Sequence, residues 1–538
     1  MIKRYFLIIF VCAMSACSDF LQEEPRTFLS PSVAYTTDEG FDAGATGLYD
    51  LLSTPYFGNN NFGRIVGLWQ AGTDIHQSSH EDGYGIKPID ELTFTSESVQ
   101  LKHMWDHYYR IVNNAQILIS YAENHIWTNA ALKNQVIGEA HFFRAWGHFY
   151  LTQFWGDIPV VDKLNVEIKL DWERISRSKV MDFVIDDLHK AVENLDYAVY
   201  NNQQGRITKG TALHLLAYAY LCNKDWENAE KYARELIESG RHALMTSRFG
   251  SAADNPEGNA FWDLFQKDNQ NPDAGNREGL LVIQNEPVEV FPEVAGGDTK
   301  EFYGLYVRFL YPSYYGGSRV EENDENMLKY GGRGKGYLLA TRYWVDDLFQ
   351  DNNDVRGQYP NVQKRFEKTG GTVVFDWDAP GADKDNMFFR PYPRKWDWDG
   401  SSRNGSFGTD ATTRDMYVFR LAETYLILAE ALHMQNNNSE TNGAAYYINQ
   451  VRQRAGAAPI AANQVDIDFI LDERARELFG EIPRRIDLVR TGKYVARANL
   501  YNPKVNGKAE TKHELLPIPQ EIIDLNIHRE FPQNEPAW

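Results

Sequence analysis

Thr208-Lys-Gly-Thr-Ala-Leu-His-Leu-Leu-Ala-Tyr-Ala-Tyr-Leu, a turn at Asn223-Lys224-Asp225, and Trp226-Glu-Asn-Ala-Glu-Lys-Tyr-Ala-Arg-Glu-Leu-Ile-Glu-Ser closed by Gly240 form the stretch that decides the fold class. Apolar residues return every three or four positions in both halves, the period of a helix with one buried face. Gly240 stands just past the second half, where a helix C-terminus favours a residue at positive φ. Leu213, Leu216, Ala217, Tyr220, Ala229 and Ala233 have the spacing of a tetratricopeptide helix pair, in which small residues let two helices approach closely. Leu236 departs from that pattern, which prefers Ala there.

Two further helical stretches flank this one. A helix is expected over 136–154, with Phe142, Ala145, Trp146 and Phe149 on one face, and its partner over 180–195, after Gly156-Asp157-Ile-Pro-Val-Val. Another pair is expected over 420–434 and 444–455, joined across Asn436-Asn-Asn-Ser. Helices in such pairs bury their apolar faces only against the next pair. The reading is therefore mainly all-α: tetratricopeptide-like helix pairs forming an α-α superhelical scaffold with a loop-rich, mixed elaboration. The pairs fall at about 100–245 and 415–460 within a single expected domain, 28–538, and the loop-rich part at about 250–404. That part holds turn clusters such as Gly296-Gly297-Asp298, Gly316-Gly317-Ser318 and the run from Gly331 to Gly336. It also holds short β-like runs at Gly279-Leu-Leu-Val-Ile-Gln and Thr372-Val-Val-Phe. Loops carried on a rigid core are where binding residues concentrate.

The N-terminus reads as a secretory signal, with Lys3 and Arg4 as its basic region, an apolar run from Tyr5 to Met14, and Ser15-Ala16 before Cys17. Ten apolar residues in a helix span roughly 15 Å, half of a ~30 Å hydrocarbon core, so the run is too short to cross a membrane. Met14-Ser-Ala-Cys17 resembles the lipobox of bacterial lipoproteins, with Met14 in place of the more usual Leu. The resemblance implies removal of residues 1–16, lipid on Cys17, and a tether over 17–27. An ordinary cleaved signal that happens to contain a cysteine is the alternative. Asp19, Glu23 and Glu24 follow directly. They resemble the surface-export signal of Bacteroidetes lipoproteins and read equally as a solvated linker. After cleavage and lipidation only Cys222 keeps a thiol, so no internal disulfide is expected, and Cys222 reads as a small core residue.

Net charge is −20 over 538 residues, a balance that disfavours nucleic acid and anionic lipid surfaces as partners. Aromatic residues make up 13% of the chain, with 13 Trp, 30 Tyr and 29 Phe, and Tyr is high for a soluble domain.

Several strings then carry a resemblance: Gly72-Thr73-Asp74, Glu139-Ala-His-Phe-Phe-Arg-Ala, Phe154-Trp-Gly-Asp-Ile-Pro-Val-Val, Arg174-Ile-Ser-Arg and Gly205-Arg-Ile-Thr-Lys-Gly-Thr-Ala. Further along come Asp472-Glu-Arg-Ala-Arg-Glu-Leu, Ile486-Asp-Leu-Val-Arg-Thr-Gly, Leu515-Leu-Pro-Ile-Pro-Gln-Glu-Ile and Asn534-Glu535-Pro536. In their order, and with the lipobox and helix pairs, they resemble the SusD/RagB family of nutrient-binding outer-membrane lipoproteins. The resemblance implies four tetratricopeptide-like units and attachment to the extracellular face of the outer membrane. It also implies binding of oligo- or polysaccharide, partnership with a SusC-like TonB-dependent transporter, and no enzymatic activity.

Sugar binding needs flat aromatic faces for the apolar side of the pyranose and donors and acceptors around the rim. Two loops suit it. His80, Asp82 and Tyr84 lie in the loop after Asp74, which the family resemblance aligns with a sugar-contacting loop. Tyr314, Tyr315 and Arg319 lie in the second, where Gly316 and Gly317 would let a ligand approach the backbone. Trp396 and Trp398 alternate with charge and suggest a rim platform. For each of these aromatics, packing beneath a long loop is the competing expectation, and for Trp146, Trp155 and Trp226 on helix faces it is the favoured one. His76 and His80 stand at helical spacing beside Glu81 and Asp82, but the Ser and Gly neighbours indicate a loop, so no metal site and no cofactor is expected. No G-x-S-x-G, HExxH or P-loop pattern is present. The competing functions are a peptide-binding uptake lipoprotein, a tetratricopeptide interaction scaffold and, with least support, a surface glycosidase.

Overall fold

The computed structural model describes residues 30–57, 63–79, 85–165, 167–285, 305–398, 414–534 and 538. Cys17, His80, Asp82 and Tyr84 lie outside the described residues.

Helices α1 (Asp38–Phe57), α2 (Gly63–Gln70), α3 (Val99–Ala122), α4 (Ala130–Trp155), α5 (Arg177–Asn194), α6 (Lys209–Cys222) and α7 (Trp226–Glu238) fill the first half. In the second half α8 (Leu305–Leu310) is followed by α9 (Leu421–Met434), α10 (Ala444–Arg454), α11 (Ile467–Leu478), α12 (Arg484–Arg490) and α13 (Tyr494–Tyr501). From α3 to α7 each helix packs on the next, and α7 packs on α9 and α9 on α10, so the scaffold is a stack of helices in contact with their neighbours.

The quoted pair behaves as its sequence demands. Thr208 is extended and its hydroxyl accepts the Thr211 amide, which starts α6; Asp225 caps α7 through the Asn228 amide at 3.1 Å. Gly240 takes φ 67° past the end of α7. Ala217, Ala229 and Ala233 are fully buried, so the small residues do close the gap between helices. Between α3 and α4 the same task falls to Gly147: a Cβ there would stand 2.5 Å from Val112 Cγ2. Trp146 and Trp155 are wholly buried and Trp226 packs half-buried on the core, as expected of helix-face tryptophans.

Strands are short and pair in twos. β1 (His76–Ser78) runs antiparallel to β3 (Leu338–Ala340), and β2 (Gly279–Ile283) to β4 (Met416–Arg420); two further antiparallel pairs lie within 362–393. The expected β-like runs appear as β2 and as Val373–Asp376.

The loop-rich part is joined to the helices by a buried ionic lattice. Arg420 meets Glu278 at 2.6 Å and Glu481 at 2.6 Å, Arg454 meets Glu278 at 3.0 Å, and Arg356 meets Glu473 at 2.8 Å. Burial alone would neutralise Glu473, but the Arg356, Arg476 and Arg452 cations outweigh it and hold the carboxyl at about 2. Glu473, Arg474 and Glu477, all in the string from Asp472 to Leu478, are thus fold-holding groups.

Candidate functional site

The first expected loop is fixed at its base. Asp74 accepts from Arg484 at 2.9 and 2.7 Å and from Arg497 at 2.8 Å, linking the start of β1 to helices more than 400 residues away. Burial would raise this carboxyl, yet the two guanidiniums hold it down at about 2. Asp90 grips the other side, accepting the Gly72 and Ser78 amides at 2.8 and 2.6 Å. His76 lies in a strand, fully buried, its ring 4.3 Å from that of Phe479, and burial lowers its basicity to about 3. His76 therefore does not stand on a helix face. Among the described residues no cluster has the composition of a metal site.

The second expected loop differs from its reading. Tyr314 and Tyr315 are buried, 0% and 5% exposed, and present no ring face to a ligand. Tyr314 donates its hydroxyl to the Gly332 carbonyl at 2.5 Å and packs among Tyr315, Tyr330 and Phe366. The two glycines serve a turn instead of a close approach: Gly316 and Gly317 take φ 84° and 61°, and the chain returns so that Gly316 donates to Val320 at 2.9 Å. Arg319 is half-buried and spends its guanidinium on the same turn, donating to the Ser313 and Gly316 carbonyls while lying 4.1 Å from the Phe388 ring centre. Trp396 is half-buried on the core, its ring seated against Gly480, where a Cβ would lie 2.5 Å from the indole.

Half-exposed aromatic surface is found nearby, on Tyr337 and Trp398. Ser78 pairs with Leu338, so Tyr337, one residue before, stands at the strand end where the first loop leaves β1. The Tyr337 ring meets Phe309 of α8 edge-on at 5.5 Å. Gly67 of α2 lets Phe309 and Ile86 crowd together, which brings the loop's return at Gly85 to the same place. Gly332 does likewise for Trp398 and Val307 of α8; a Cβ there would touch both at 3.0 Å. Tyr337 and Trp398 thus both border α8, the first through Phe309 and the second beside Val307. Arg333 stands close by, paired with Glu322 at 2.9 Å and 5.6 Å from the Tyr315 ring centre. Two aromatic faces with an arginine and a carboxylate at the edge can stack an apolar sugar face and read hydroxyls around it. Trp398 was visible in the sequence as a rim candidate. Tyr337 was passed over, although its place after the run from Gly331 to Gly336 is the signal that would have found it.

Two family models match the chain: one described as "SusD family" over residues 313–538, the other as "Starch-binding associating with outer membrane" over 19–221. The starch-binding protein SusD of Bacteroides thetaiotaomicron is 33% identical over 446 residues, covering 74% of this chain and 72% of its own. A SusD homologue of the same species, solved by crystallography, superposes with a TM-score of 0.73 at 22% identity over 96% of this chain and all of its own. A solved laminarin-binding SusD-like protein gives 0.71 at 22% identity over 94% of this chain and all of its own. At those identities the two solved structures bear on the fold alone.

Proposed function

We propose that this chain, which belongs to the SusD family, binds glycan at the surface of the outer membrane and delivers it to a SusC-like TonB-dependent transporter. The observation that carries the reading is half-exposed aromatic surface bordering α8, on Tyr337 at the strand end where the first loop leaves β1 and on Trp398 beside Val307. His80, Asp82 and Tyr84 follow Ser79 in sequence and are the polar and aromatic contacts proposed to complete the site; Arg319 and Trp396 stand as its support. The relative named for starch and the family description naming starch binding and the outer membrane support this direction. Cys17 is the proposed lipid anchor, facing the protein outward. A tether of this kind keeps the body at an effective concentration of order mM near its transporter, so release and redocking need no fresh encounter. The mechanism is non-covalent capture without a catalytic step.

Affinity gels loaded with soluble polysaccharides test this reading with the chain from Ser18 onward. Retardation by at least one glycan, without release of reducing ends, is expected. Absence of retardation across the panel favours peptide cargo, and released sugar overturns the non-enzymatic reading.

A further inference from the structure

A groove of about 610 Å³ runs along α3, between that helix, the segment 159–172 and the C-terminal segment 522–531. Trp105 and Tyr109 are among its lining residues, and the Tyr109 hydroxyl donates to the Pro159 carbonyl at 2.7 Å. Trp172 forms a wall, its backbone held from both sides by Asn526, whose Oδ1 accepts at 2.7 Å and Nδ2 donates at 3.0 Å. The rim is apolar and open to water: Ile168 is 88% exposed and Leu525 55%. Such an exposed apolar patch, with Asp106, Arg110, Asn113, Asn114 and Lys169 among its lining, marks a surface that another group covers. Arg110 stands exposed at the mouth with no ion pair among the described residues.

The chain's own N-terminal segment fits this groove. The described chain begins at residue 30, and Tyr35 lies against Tyr121 near the end of α3, ring centres 5.6 Å apart. From the level of Tyr121 back to Asn114 and Trp105 is about 10 and 24 Å along the helix. Residues 18–29 span up to about 40 Å when extended, so the segment reaches the whole groove. It carries Phe20-Leu21 and Phe28-Leu29 as apolar pairs and Asp19, Glu23 and Glu24 as acids. We infer that Ser18–Leu29 docks along this groove, its apolar pairs against Tyr109, Ile168 and Trp172 and its acids facing Arg110. Docking leaves little loose chain after Cys17 and fixes which face of the body turns to the membrane. The inference uses the export reading for its new N-terminus and is independent of the glycan reading.

Hydrogen exchange on the full chain from Ser18, compared with Phe20→Asp/Leu21→Asp and Phe28→Asp/Leu29→Asp variants, tests it. The substitutions lie outside the described residues, and α6 and α7 serve as internal standards. Peptides covering 105–114 and 168–172 are expected to exchange about ten-fold faster in the variants, with α6 and α7 unchanged. Equal exchange in all three chains overturns the assignment. Protection that persists in the variants but fades on dilution gives the groove to a second copy and overturns it as well. Glycan retardation is expected to be the same in all three, so a failure here is distinct from a failure of glycan binding.

Discussion

Asp74→Asn tests how the loop face is held. The native carboxylate satisfies two buried guanidiniums, and the substitution removes the charge while keeping the size. Arg497 retains Asp472 and Asp468, the latter at 3.0 Å, so it keeps counter-ions. Arg484 retains only the Leu471 carbonyl at 2.7 Å among its described bonds, and is left as a buried cation with no bonded counter-ion, the Asp487 charge acting on it only from a distance. Breaking a buried pair from one side costs about 3–5 kcal/mol. At about 2.1 cal/mol/K per residue, a 538-residue chain unfolds with an entropy near 1.1 kcal/mol/K, so Tm is expected to fall by about 3–5 °C in one cooperative step. Differential scanning calorimetry reads this directly. Asp186→Asn is the control: it breaks an exposed pair with Lys190 at 2.7 Å and is expected to cost under about 1 kcal/mol. Equal shifts for the two variants would refute the claim that the Asp74 clamp holds the base of β1.

Stability should also follow pH in a defined window. Asp74, Glu473 and Asp487 are each held at about 2 by neighbouring arginines, below their unfolded values of 3.8 to 4.5. A lowered carboxyl contributes stability that is present above its unfolded value and lost as pH falls toward its folded one. Urea midpoints are thus expected to fall from about pH 4.5 down toward 2; a midpoint unchanged at pH 3 contradicts this. Tyr314→Phe removes one buried hydrogen bond and is expected to cost about 1–3 kcal/mol in urea unfolding while leaving glycan retardation intact. Retardation lost without a change in stability would put the Tyr314 hydroxyl at the ligand.

The scaffold was legible in the sequence because helix pairs write their packing as a period. The expected helices at 136–154, 180–195 and 420–434 fall within a few residues of α4, α5 and α9. Helix α1 escaped notice, with Pro55 and several glycines inside it, and α3 fell within the expected 100–245 stretch without being delimited, its pattern interrupted by polar residues such as Asn113 and Asn114, which line the groove. The candidate site was harder to read. A Tyr-Tyr-Gly-Gly string is equally a ligand platform and a buried pair ahead of a tight turn, and only tertiary packing on Tyr330 and Phe366 decides. Polar residues in the family strings posed the same ambiguity. Glu139, Arg206 and Asp487 carry the charges that mark functional sites, yet each is buried in an ion pair: Glu139 with Arg206, and Asp487 with Arg474, which also holds Glu423.

The most direct measurement is calorimetric titration of a retarded glycan into the native chain, Tyr337→Ala, Trp398→Ala and the double variant, after thermal unfolding has confirmed that each is folded. Each ring is expected to contribute roughly 1 kcal/mol by stacking, so Kd should rise about five-fold for each single variant and about 25-fold for the double. Unchanged affinity in a folded double variant would contradict the claim that glycan is captured on this face.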